Sequence, residues 1–267
     1  MRFVRGIGSI PMVMPAFCCH DRVAMRRILL PFLSLALIAA SPASDEARQL
    51  MEAGQEARAF ALVEAAAALS DDDAVDYLAW FYDTGRYVAQ DQPRAARLYR
   101  QAAERGQRHA QWRLGVMLDT GEGVAEDPRE AFQWISRAAA QGSPRAIVSM
   151  GVMYATGRGV VRDYAQSRRY YLAAARLGQA HGFYGVGVLY AGGQGVAADQ
   201  QESLAWMLCA ATLGDEEAQR ASERFQLDSA ATTAAAQRAN EIFAELGITG
   251  HRIRFRDLDA ERGQPIV

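Results

Sequence analysis

The stretch Ala110-Gln111-Trp112-Arg113-Leu114-Gly115-Val116-Met117-Leu118-Asp119-Thr120-Gly121-Glu122-Gly123-Val124-Ala125-Glu126-Asp127 decides the fold, because its landmarks return at a fixed interval of 36 residues. Its first position recurs as Ala74, Ala146 and Gly182, and Gly121 as Gly85, Gly157 and Gly193. Asp127 recurs as Asp91, Asp163 and Asp199, and a further glycine closes each unit at Gly106, Gly142, Gly178 and Gly214. An unbroken period of this length marks stacked repeats, in which each small unit can bury its apolar face only against its neighbours.

Within the quoted unit, Leu114, Met117 and Leu118 lie at helical spacing and predict a helix A from about His109 to Thr120. Gly121 can take the positive φ that ends a helix, and Gly123 lets the chain fold back. Helix B then starts at Asp127, whose carboxylate can accept from a first-turn amide, with Pro128 at the first helical position and Glu130 placed to complete a capping box. Asp163 to Gln166 and Asp199 to Glu202 repeat the box. One aspartate per unit at a helix start is what capping requires, so these aspartates read as caps rather than catalysts. Gly115, Gly151 and Gly187 on helix A, with Ala102-Ala103, Ala138-Ala139, Ala174-Ala175 and Ala210-Ala211 on helix B, allow close backbone approach. Leu98, Trp134, Tyr170 and Trp206 then fill the space between units.

The fold expected is all-α: a right-handed α/α solenoid of four helix-turn-helix repeats of 36 residues, with N- and C-terminal capping helices. The repeats are residues 74–109, 110–145, 146–181 and 182–217. Residues 45–73 and 218–247 read as caps, because the end units of a stack would otherwise expose an apolar face. Residues 56 to 69 look like a lone helix B, a shorter helix spans about Asp45 to Glu52, and Asp228 caps a final helix of roughly 230 to 246. The charged segment 248–267 is expected to be a mobile tail. In the first repeat, Tyr87 stands where the other copies carry the second turn glycine, so an altered loop is expected near Gly85.

Met25-Arg26-Arg27, the apolar run Ile28 to Ala40 and Ser41-Pro42-Ala43 have the order of a secretory signal peptide over residues 25–43, cleaved after Ala43 or after Ala40. Residues 1–24 then read as an upstream mis-start and are set aside. The apolar run is shorter than the roughly 20 residues a membrane span requires, so the expected product is periplasmic or secreted, without stable membrane insertion. It would retain one cysteine, Cys209, so no disulfide framework is expected; Cys209 sits between Leu208 and Ala210 as a buried thiol. A net charge of -2 over 267 residues, half of them hydrophobic, supports a well-buried core and leaves no electrostatic footprint for nucleic acid.

The pattern Ala-x-x-x-Leu-Gly-x-Met-Leu-x-x-Gly-x-Gly-Val-x-x-Asp, followed by Ala131, Trp134, Ala138-Ala139 and Gly142, resembles the Sel-one-like repeat family, a branch of the tetratricopeptide-like solenoids. The resemblance covers residues 74 to 214 and implies a non-catalytic scaffold or adaptor that binds a protein or peptide, such as an envelope protein or signalling receptor. Some cysteine-rich secreted relatives are linked to β-lactam binding or hydrolysis, which gives the alternative of a cell-wall-related enzyme or peptidoglycan-interacting protein. Those relatives carry a cysteine pair in each repeat, absent here, and no Ser-x-x-Lys arrangement supplies an acylating serine. No catalytic, cofactor-binding or metal constellation emerges. His109 and His181 fall two units apart at one repeat position and read as solvated helix-start residues.

Recognition is therefore sought where the units differ. By analogy with tetratricopeptide grooves, the third residue of each helix A and those four and seven later should face the concave surface. The first set is Asp76, Trp112, Val148 and Tyr184; Trp80, Val116, Val152 and Val188 come next, then Asp83, Asp119, Ala155 and Ala191. The partner-binding candidates are Asp76, Trp80, Asp83, Trp112, Val116, Asp119, Val148 and Tyr184, an apolar and aromatic strip that turns acidic towards the N-terminal units.

Overall fold

A computed structural model of the protein describes residues 43–251 and Ile253; the leader, the segment upstream of it and most of the tail lie outside these residues, save Ala43 at the leader's end. The described residues form twelve helices and no strand. A first hairpin, α1 (Ala43–Glu52) and α2 (Glu56–Ala68), precedes four A-B pairs. These are α3 (Asp72–Thr84) with α4 (Gln92–Glu104), α5 (Arg108–Thr120) with α6 (Pro128–Ala140), α7 (Pro144–Thr156) with α8 (Tyr164–Arg176), and α9 (Ala180–Gly192) with α10 (Gln200–Thr212). A short α11 (Glu216–Ser222) and the longer α12 (Ser229–Glu245) close the stack.

Each helix packs mainly on its neighbours in sequence, which makes this an α/α solenoid. Contacts between helices two apart join A helices, α1 with α3 and α7 with α9, so the helix-A side is the tighter side of the stack. The exception is α10 with α12, which meet across the short α11.

Local chemistry sets the helix ends. Every helix A of the four repeats stops at a left-handed glycine, as at Gly121 with φ 77°. Every helix B starts at the recurrent aspartate, whose Oδ1 accepts from Arg94 N at 2.9 Å, Glu130 N at 3.0 Å, Gln166 N at 3.0 Å and Glu202 N at 2.9 Å. Each such cap contributes about 1 kcal/mol.

The capping boxes, however, are only half formed. The backbone N–H of each capping aspartate donates to a carbonyl near the end of the preceding helix A, for example Asp127 N to Leu118 O at 2.8 Å. With that donor satisfied, Glu130 is free to turn elsewhere. It accepts from Trp134 Nε1 at 3.0 Å and from Arg100 of the preceding helix B, and Glu202 likewise takes Trp206 Nε1 at 2.9 Å and Arg238 Nε at 3.1 Å.

The expected change in the first loop is also absent. Tyr87 takes φ 68°, matching the glycines at 123, 159 and 195, so the turn keeps its path despite the side chain. Glycine is required at the later positions because a Cβ on Gly159 would lie 1.9 Å from Pro128 O, against the preceding helix B. In the first repeat the preceding helix is α2, and the Tyr87 ring rests 5.5 Å from Phe60.

The small helix-A residues serve as expected: a Cβ on Gly115 would meet Ile135, and one on Gly151 would meet Tyr171, each on helix B of the same unit. Cys209 is fully buried and its thiol lies 3.3 Å from Ala239 O. The tail starts differently from expectation, because Ile253 is buried on α12 and exchanges two hydrogen bonds with Asn240, at 2.9 and 3.3 Å.

Candidate partner-binding surface

On α3 the residues Asp73, Asp76, Tyr77 and Trp80 stand at intervals of three and four, which puts them on one stripe of the helix. α1 crosses in front of that stripe and brings Ser44, Asp45 and Arg48, while α5 brings His109 from the other side. Together they line a cavity of about 410 Å³ at the N-terminal end of the helix-A side. Asp45 is held by Arg48 at 3.0 Å, and the two carboxylate oxygens of Asp76 lie 2.9 and 3.0 Å from His109 Nδ1. Asp73 is exposed and has no ion-pair partner among the described residues. The Tyr77 and Trp80 rings stand 5.5 Å apart, and burial raises the Tyr77 phenol above its ordinary pKa.

From the cavity the helix-A face continues through the next unit. Trp112 is half-buried, with its Nε1 donating to Ser149 Oγ at 3.2 Å and the Arg145 guanidinium 5.1 Å from its ring. His109 lies between, 6.0 Å from Trp112. Val116, Val148 and Tyr184 are half-buried on the same helices, and Val152 and Val188, one repeat apart, are 43% and 37% exposed.

Two candidates are committed elsewhere. Asp83 is 7% exposed and lies inside a network joining three helices: Arg113 Nε donates to its Oδ2 at 2.6 Å, Arg113 Nη2 to its Oδ1 at 2.8 Å, and the Tyr99 hydroxyl to its Oδ2 at 3.2 Å. Arg113 also reaches Glu122 at 2.9 Å, and its pKa is raised by these carboxylates, Asp83 first. Asp83 thus clamps the first repeat to the second and is not offered to a partner. Asp119 is tied to Arg158 of the next unit at 2.8 Å.

The Sel1 repeat profile matches residues 73–107, 108–143, 144–179 and 182–215. The chain belongs to the Sel1 repeat family. Among solved structures, the chain is similar to a Sel1 repeat protein of Oxalobacter formigenes, with a TM-score of 0.63 and 27% identity over 82% of this chain and 96% of that one. It is also similar to c5321, a protective antigen present in uropathogenic Escherichia coli strains that displays the same repeat fold, with a TM-score of 0.59 and 30% identity over 76% of this chain. The match spans 48% of that antigen, about half its length. No curated protein matches the chain. Sel1 repeats generally mediate protein–protein interactions, and their fold is typically a non-catalytic scaffold.

Asp73 stands three residues before Asp76, and Tyr77 stands four after Asp73 and three before Trp80, so helical spacing alone places both beside the Asp76-Trp80 stripe. Asp45 and Arg48 carry no such signal, since only the fold of the first hairpin brings α1 against α3. His109 is exposed in the first turn of α5, as expected of a solvated helix-start residue, and it also bridges Asp76 and the aromatic face. Among the described residues no helix is long and apolar enough to cross a membrane, and no group of three or more histidine, cysteine, aspartate or glutamate side chains could hold a metal.

Proposed function

We propose that this Sel1 repeat protein is an exported scaffold that holds a segment of a partner protein along its helix-A side, in the manner of a peptide in a solenoid groove. The observation that carries this reading is the continuity of side chains that are not fully used by packing: Trp80, Trp112 and Tyr184 half-buried, Val152 and Val188 exposed at one repeat position. Apolar groups fixed on rigid helices bind with little ordering cost, which favours them as anchors for a partner's side chains. The acids concentrated near Asp76 favour a basic group at that end of the segment.

The reading is tested with the substitutions Trp112→Ala and Tyr184→Ala, made together, followed by affinity capture from the native cell envelope. Helicity by circular dichroism should be unchanged and partner recovery should fall by about tenfold or more, a loss of roughly 1.4 kcal/mol in binding. Recovery equal to that of the parent protein removes the groove from consideration. Export rests on the leader-like order of residues 25–43. An alkaline-phosphatase fusion after Ser44 should be active in cells, and it should fall silent when the run from Ile28 to Ala40 is deleted; activity that survives the deletion argues against export by this route.

A further inference from the structure

The cavity between α1, α3 and α5 combines features that the rest of the helix-A side lacks. Three carboxylates, Asp45, Asp73 and Asp76, share the cavity with one guanidinium, Arg48, which Asp45 engages at 3.0 Å, and with His109, whose Nδ1 lies 2.9 and 3.0 Å from the oxygens of Asp76; Asp73 keeps its charge open to the cavity. The wall beside them is aromatic, built by Tyr77 and Trp80. The space, about 410 Å³, lies within the range of small-ligand pockets and is ample for one long side chain.

A flat cation suits both surfaces. A guanidinium stacks on an aromatic face through the ring quadrupole while its edge donates to carboxylates; a neutral polar group makes both contacts without the charge that strengthens them, and an anion is repelled. The charge balance of the cavity and its aromatic wall therefore select the same class of ligand.

We propose that this cavity is the anchoring pocket for one arginine side chain of the bound segment, with Asp73 and Asp76 as its acceptors and Trp80 as its stacking surface. This rests on the reading of the helix-A side as the docking face, and it adds a direction. The basic residue sits at the α3 end, and the apolar residues of the segment run past Trp112, Val152 and Val188 towards Tyr184. It also gives α1 a role beyond capping, since without α1 the cavity has no outer wall.

The probe is Nα-acetyl-arginine amide, titrated into the purified protein while the indole resonances are followed by NMR, with Nα-acetyl-citrulline amide as the uncharged isostere. The expected result is a saturable shift of the Trp80 indole with a dissociation constant on the order of millimolar, as fits a single side chain. Citrulline should bind at least about tenfold more weakly, as should the arginine probe to the double variant Asp73→Asn/Asp76→Asn. Asp73→Asn alone, at an exposed position without an ion pair among the described residues, should weaken binding about threefold and keeps the test valid if the double variant unfolds. Equal binding of citrulline, or undiminished binding by the variants, overturns the proposal. Trp112→Ala should leave the arginine titration unchanged while reducing partner recovery. A silent arginine titration with partner recovery still sensitive to Trp112 and Tyr184 therefore refutes this pocket alone and leaves the docking face standing.

Discussion

Asp83 and Arg113 form a nearly enclosed pair whose value lies in being complete. The carboxylate takes two bonds from Arg113 and one from Tyr99, and its burial leaves almost no water to replace them. Tyr99 is affected in turn, its phenol pushed far above the ordinary tyrosine value by burial and then by Asp83. Removing the charge at Asp83 leaves the Arg113 guanidinium, 20% exposed, without its main partner. Asp83→Asn should cost about 2–3 kcal/mol in urea unfolding with the slope unchanged, the figure reduced from a fully buried pair because Arg113 keeps Glu122. A loss below about 0.5 kcal/mol would place the pair among ordinary surface bridges.

Between elements, the bond from Arg100 on α4 to Glu130 on α6 joins successive B helices, and Trp134 adds a second donor. Arg100 holds the Glu130 carboxyl below the ordinary glutamate pKa, against a smaller opposing effect of burial, and Trp134 assists. A lowered folded-state pKa means that the unfolded chain binds the proton first. The stabilisation is therefore fully present above the ordinary glutamate value and is lost as pH falls from there through the lowered pKa of Glu130. The melting temperature of the parent should exceed that of Glu130→Gln at about pH 7, and the gap should close below about pH 4. A gap independent of pH would mean that the Gln substitution acts through packing around Trp134 instead. The pair is about one-third exposed on both sides, so solvent screens it and the effect should be small.

At the scale of the whole molecule, stability passes from each unit to the next, and the ends depend on their caps. α12 covers α10 and reaches α9: Cys209 of α10 points its thiol at the α12 backbone, and Phe243 packs 5.8 Å from Phe183 of α9. Burial pushes that thiol well above the ordinary cysteine value, which makes it inert while the cap is seated. Phe243→Ala should destabilise the C-terminal unit by about 3–4 kcal/mol and accelerate iodoacetamide labelling of Cys209, read by mass spectrometry of its peptide. Labelling at the parent rate would show that α10 keeps its shelter without the ring. What the sequence determined was everything encoded within one unit: the 36-residue interval, the glycines that stop each helix A, the aspartates that start each helix B, and the glycines that let the two meet. These depend on φ values, caps and side-chain size over a few residues, so they can be read locally. The fates of the charged residues could not, because their arginine partners stand about one repeat away. Glu130 resembles a capping-box residue until Arg100 and Trp134 claim it; Asp83 resembles a surface acid until Arg113 folds over it. The pocket beside Asp76 has the same origin: its aromatic stripe is written in α3, but α1 and His109 arrive only through stacking, and it is their arrival that turns a helix face into a cavity.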